Sequence, residues 1–128
     1  MQAQETLRKY FGHEAFRPGQ EVMLNALTHH RDALGVMPTG AGKSMCYQVP
    51  ALMMPGVAIV ISPLISLMAD QVAALKSAGV PAAYLNSSLT PRQMELAMQR
   101  ARQGAYKIIY VAPERLETPS FQAMAQSM

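Results

Sequence analysis

The sequence holds one cysteine, Cys46. One thiol forms no internal disulfide, and no Cys-x-x-Cys metal cluster can be built from it. That fits a reducing compartment. Long apolar runs are missing as well. Met1 to Lys9 lacks the apolar core of a secretory signal. The most apolar stretch, Val57 to Met68, is broken by Ser62, Pro63 and Ser66 and is too short to cross a bilayer. No internal repeat, low-complexity tract or Gly/Ser linker occurs. Charge is scarce: 15% of residues are charged and the formal net charge is +3. Such an excess is compatible with nucleic-acid contact without arguing for it. The expectation is a soluble cytoplasmic protein with no membrane partner, whose function must be read from motifs. Its oligomeric state is open.

At 128 residues and 50% apolar, the chain has room for one domain with a real core. Eleven methionines are present. Met23, Met53, Met54, Met68, Met94 and Met98 sit among other apolar residues, without a neighbouring histidine. They read as flexible filler of apolar faces rather than as metal ligands.

Residues Gln4 to Phe11 have a helical pattern that Gly12 ends. Pro18 opens a second helix with Val22, Met23, Ala26 and Leu27 at helical spacing, running to about His29. Ala33 to Met37 reads as a buried strand. A helix follows from Gly42 to about Met53, with Pro50 expected to bend or shorten it. Val57 to Ile61, rich in β-branched residues, predicts a strand buried on both faces. Ser62 and Pro63 then predict a helix start, as cap and first turn, and Leu64, Leu67, Met68, Val72 and Leu75 form its apolar stripe as far as Gly79. Ala82 to Leu85 is a weaker strand. Thr90 and Gln93 spell a capping box for a helix that Gly104 ends. Lys107 to Val111 is a strand, and a last helix starts near Pro119. Strands alternating with helices give an α/β fold with a parallel sheet of four strands.

The strongest chemical signal is Pro38-Thr39-Gly40-Ala41-Gly42-Lys43-Ser44, between an expected strand and an expected helix. Gly40 and Gly42 let backbone N–H groups approach phosphate oxygens. The helix N-terminus adds partial positive charge. Lys43 supplies a full charge for the β- and γ-phosphates, and the Ser44 hydroxyl is placed to ligate Mg²⁺. The general pattern asks for glycine where Met37 stands. The bland alternative is an ordinary helix start.

Four stretches together resemble the RecQ-type DNA helicases of superfamily 2, in that family's order. They are Leu7 to Gln20, Met37 to Gln48, Ser62 to Gln71 (Ser-Pro-Leu-Ile-Ser-Leu-Met-Ala-Asp-Gln) and Tyr110 to Leu116 (Tyr-Val-Ala-Pro-Glu-Arg-Leu). The resemblance covers essentially the whole chain, and Met37 is normal in that family. It implies a RecA-like P-loop NTPase fold, ATP and Mg²⁺ as cofactors, and 3′ to 5′ unwinding in recombination, repair and replication. It implies that Gln20 reads the adenine edge, Arg17 helps hold the nucleotide, and His13 occupies the position of a base-stacking ring. For Arg17 and Gln20 the alternative is an exposed charge and a helix-start amide. The resemblance also places Ser62, Pro63, Pro113, Glu114 and Arg115 on the backbone of DNA, single-stranded or duplex with a single-stranded tail. Asn86 follows the third expected strand and would line the same edge, with an ordinary polar turn as its alternative.

The division expected is residues 1–32 as N-terminal helices with the adenine motif, and 33–128 as a partial RecA-like domain. ATP hydrolysis in this class needs an acid on Mg²⁺ and a group that orients water. The resembling family carries these in an Asp-Glu-x-His box on the Walker B strand, and no aspartate follows Asp70 here. The chain is therefore expected to stop before that strand and to be inactive alone. A small P-loop kinase and a non-catalytic nucleotide-binding module remain as alternatives.

Overall fold

The computed structural model describes residues 3–12, 20, 25–27, 29, 45–54 and 56–126. They fall into two compact units, 1–55 and 56–128, each described by itself.

In the first unit α1 spans Ala3–Phe11 and α2 spans Met45–Met53. Gly12 ends α1 with φ +70°, a conformation a side chain would resist. The two helices pack through Leu7 and Val49, with Ala3, Phe11 and Met53 closing around them. Pro50 lies inside α2, yet the helix runs on to Met53, and the Met54 N–H donates to the Pro50 carbonyl. The expected strand at 33–37 lies outside the described residues.

The second unit is a three-stranded parallel sheet in the order β1-β3-β2, with β1 at Ala58–Ile61, β2 at Ala82–Leu85 and β3 at Ile108–Val111. Between them run α3 (Ile65–Ser77) and α4 (Pro91–Arg102). A 3₁₀ turn (Pro113–Glu117) and α5 (Pro119–Gln126) follow β3. The crossover from β1 passes over β3 to β2, and the next returns to β3. Right-handed crossovers in opposite directions put α3 and α4 on opposite faces of the sheet. One face carries Leu85, Ile109 and Val111 against Met98, Ala101, Phe121 and Met124. Ile108 and Tyr110 alternate with these and point to the other face, where Met68, Val72 and Leu75 of α3 are buried.

Two expectations are corrected. First, β1 is not buried on both faces: Ala58, Ile59 and Val60 are half-buried and Ile61 is 54% exposed. Among the described residues it pairs on one side, with β3, and the fully buried strand is β3. Second, α3 starts at Ile65, not at Ser62-Pro63. The Ser62 N–H is still engaged in the ladder, donating to the Val111 carbonyl at 3.1 Å, so Ser62 remains extended. Its hydroxyl accepts instead from the Leu64 N–H at 3.2 Å. Of the expected stripe, Leu64 and Leu67 are exposed, while Met68, Val72 and Leu75 are buried.

The other helix ends behave as their local chemistry dictates. Thr90 accepts from the Gln93 N–H, and the Gln93 carboxamide oxygen accepts from the Thr90 N–H at 2.9 Å, closing the capping box of α4. Helices α3 and α4 both end in the paired carbonyl contacts of a Schellman motif, Val80 N–H to Leu75 and Gly79 N–H to Lys76 in one, Ala105 N–H to Arg100 and Gly104 N–H to Ala101 in the other.

Candidate functional site

Parallel strands end on the same side of a sheet, and the register here fixes which residues meet. Ile61 and Leu85 are both level with Val111, so Ser62, Asn86 and Ala112 stand side by side at the carboxyl edge. The ladder closes there with Ser62 N–H to Val111 and Ala112 N–H to Leu85, both at 3.1 Å. Open parallel sheets bind ligands at this edge. The structure thus brings together Ser62, Pro63, Asn86, Pro113, Glu114 and Arg115, from segments far apart in sequence.

Their exposures differ in instructive ways. Pro63, Pro113 and Glu114 are exposed and Ser62 is half-buried. Helix α3 begins beside Ser62 with no side-chain cap, so its first-turn N–H groups have no capping oxygen. An uncapped N-terminus next to a hydroxyl suits an anion. Asn86 is fully buried. Its oxygen accepts from the Ser88 N–H at 2.8 Å and from the Ser88 hydroxyl, and its Nδ2 donates to the Met68 sulfur at 3.3 Å. It shapes the turn after β2 and ties that turn to α3, instead of presenting its side chain at the edge.

Arg115 sits in the 3₁₀ turn. Its N–H donates to the Ala112 carbonyl, and its own carbonyl accepts from the Thr118 N–H and hydroxyl. Its Nε is buried and finds no hydrogen-bond partner. A guanidinium N–H left so is costly, which is a reason to look for a missing acceptor.

In the first unit Gln20 is helical, 3% exposed and partnered. His13, Arg17, Pro38, Thr39, Gly40, Ala41, Gly42, Lys43 and Ser44 lie outside the described residues. Among the described residues no cluster of three His, Cys, Asp or Glu side chains is disposed to hold a metal ion. None of their helices is long and apolar enough to cross a membrane. Sequence reasoning missed a groove beside this edge, lined by Gln99, Arg102 and Ser120 among others. The signal was the spacing of Met94, Met98 and Arg102 along one face of α4.

With this geometry in place, a protein-family model described as DEAD/DEAH box helicase matches residues 17–127. The chain belongs to the DEAD/DEAH box helicase family. Among curated relatives, it is 48% identical over 98% of its length to an ATP-dependent DNA helicase RecQ of Bacillus subtilis (strain 168). It is 49% identical over 93% to the protein of the same name from Haemophilus influenzae. It is 39% identical over 91% to a probable ATP-dependent DNA helicase RecS, also of Bacillus subtilis. The chain spans about a fifth of the length of these relatives, 22% of the first and 19% of the second. As a DEAD/DEAH box helicase domain it carries a RecA-like P-loop fold, and the open three-stranded parallel sheet with flanking helices is part of that fold. Membership in this family leaves the metabolite-kinase reading without support.

Proposed function

We propose that this chain is the ATP-binding N-terminal part of the motor domain of a RecQ-type DNA helicase. What supports the reading is likeness along almost the whole chain to relatives named RecQ helicase, one of them 49% identical. The residue chemistry agrees with it. Pro38 to Ser44 cradles the triphosphate, with Lys43 as the charge partner of the β- and γ-phosphates. Mg²⁺ would be held with them by the Ser44 hydroxyl, where it screens phosphate charge. Gln20 offers a donor and an acceptor to the adenine edge, with Arg17 and His13 nearby in sequence. The protein acts in the cytoplasm, on DNA with a single-stranded portion. The DNA backbone runs along the carboxyl edge, over the uncapped start of α3, Ser62, Pro63 and the Pro113-Glu114-Arg115 turn. Hydroxyls, helix-start amides and arginine are suitable phosphate partners. Asn86 acts there by shaping the turn.

The test is titration of a fluorescent adenine nucleotide against the chain and its Lys43→Ala variant. Binding is expected from the first and not from the second, because a phosphate site without its cation loses its main charge-assisted contact. Equal binding by a folded variant overturns the assignment.

A further inference from the structure

A second cleft, lined by none of the carboxyl-edge residues, lies across the open edge of β2. Strand β2 ends the sheet, and among the described residues no strand stands on its outer side. The Pro81 and Leu85 carbonyls accept from the Lys107 and Ala112 N–H groups, at 2.8 and 3.1 Å, so the odd-numbered residues of this segment turn toward β3. Main-chain groups alternate along a strand, and Ala82 and Tyr84 turn theirs outward. Ala82 is fully enclosed and Tyr84 is half-buried, which leaves the Tyr84 N–H and C=O as the donor and acceptor of the edge. Side chains alternate too. Tyr84 shares the α3 face of the sheet with Val72 and Lys76, while Ala83 shares the α4 face with Leu96 and Arg100. All six line one cleft of about 280 Å³. A cavity lined from both faces of a sheet runs across its edge, so this one opens onto the Tyr84 main chain. Lys76 and Arg100 are exposed on its two walls, and no acidic side chain lines it.

We infer that the open edge of β2 takes an extended acidic segment of a partner protein as an added strand. Two features select this occupant. Tyr84 presents a donor and an acceptor on one residue, and a second extended backbone supplies the matching pair. The charge is positive on both walls, which favours carboxylates beside that backbone. A nucleic-acid strand fits less well, because its phosphates only accept and would face the Tyr84 carbonyl. A second copy of the chain would set one cationic cleft against another, with no acid in either.

The experiment uses the full 128-residue chain and a fluorescein-labelled peptide of about six alternating Glu and Val residues, followed by anisotropy. Three further probes accompany it: the same peptide with every amide N-methylated, a Lys–Val peptide, and an oligo-dT strand of about twelve nucleotides. The Glu–Val peptide is expected to bind about tenfold tighter than the methylated one, which keeps the carboxylates and loses the strand donors. It should also bind about tenfold tighter than the Lys–Val peptide, which keeps the backbone and reverses the charge. Saturation with it should slow exchange of the Tyr84 amide hydrogen about tenfold in ¹⁵N-correlated NMR spectra. The double variant Lys76→Gln, Arg100→Gln removes two exposed charges and should weaken binding about fivefold, with circular dichroism unchanged. Equal binding of the methylated peptide, or a Tyr84 amide that exchanges as fast with peptide as without, overturns the added strand. Equal binding of the Lys–Val peptide, or unchanged affinity in the double variant, overturns the acidic occupant. Oligo-dT that displaces the Glu–Val peptide and binds more tightly makes the cleft a nucleic-acid path and sinks the proposal. So does a Tyr84 amide already protected in a dimer before peptide is added, which would assign the edge to a second copy.

Discussion

Asn86 engages both ends of its carboxamide inside the protein, toward Ser88 and toward Met68. Its removal leaves the Ser88 N–H without an acceptor and opens a void beside the Met68 sulfur. Asn86→Ala should therefore destabilise the second unit by about 1–3 kcal/mol, read as a lower urea midpoint by circular dichroism. A change within about 0.5 kcal/mol would mean that the turn holds itself without this side chain. Gln20 is buried and partnered in the first unit. A carboxamide matched to a base edge discriminates by leaving polar groups unpaired against the wrong base. ATP should outcompete GTP for the labelled nucleotide, and Gln20→Ala should bring the two close to equal. No preference in the unmodified chain would remove the adenine role from Gln20.

Helix ends show how local chemistry and the sheet compete. The capping box of α4 is a contact between residues three apart and needs no tertiary partner. Thr90→Ala should cost about 1 kcal/mol, measured by the same urea titration. Gly104 closes that helix with φ +76°, and Gly104→Ala should cost a similar amount, about 1 kcal/mol, through backbone strain alone. If both changes are neutral, α4 is held by its packing and not by its ends. The start and stop of α4, the order of the elements and the position of β3 were legible in the sequence because each rests on neighbours in the chain. The start of α3 was not: Ser62 and Pro63 have the right types, but a ladder bond from Ser62 to Val111, a residue far along the chain, keeps them extended. Nor does a run such as Ala58 to Ile61 reveal whether it lies in the middle of a sheet. Its composition suits a central strand, while the pairing places it at the end of the described sheet. The carboxyl-edge site was legible as separate segments, and the sheet register is what gathers them. The groove along α4 escaped notice because its second wall comes from the turn and helix after β3.

For the chain as a whole, residues 1–128 contain no Asp-Glu-x-His sequence. An Mg²⁺ held by Ser44 would lack a carboxylate partner from such a box. Phosphate release from ATP, with and without DNA, should stay at the buffer rate for the isolated chain. DNA-stimulated release by residues 1–128 would show that the acid and the water-positioning group are present in another form. The methionines carry a last consequence for the two units. Met68 and Met124 are wholly enclosed in the second unit, whereas Met53 and Met54 of the first and Met94 of α4 are half-buried. Peroxide converts an accessible thioether to its sulfoxide and reaches an enclosed one when the surrounding structure opens. Dilute peroxide followed by peptide mass spectrometry should mark Met53, Met54 and Met94 early. Sulfoxide at Met68 should then track the opening of the second unit, timing its unfolding without any attached label.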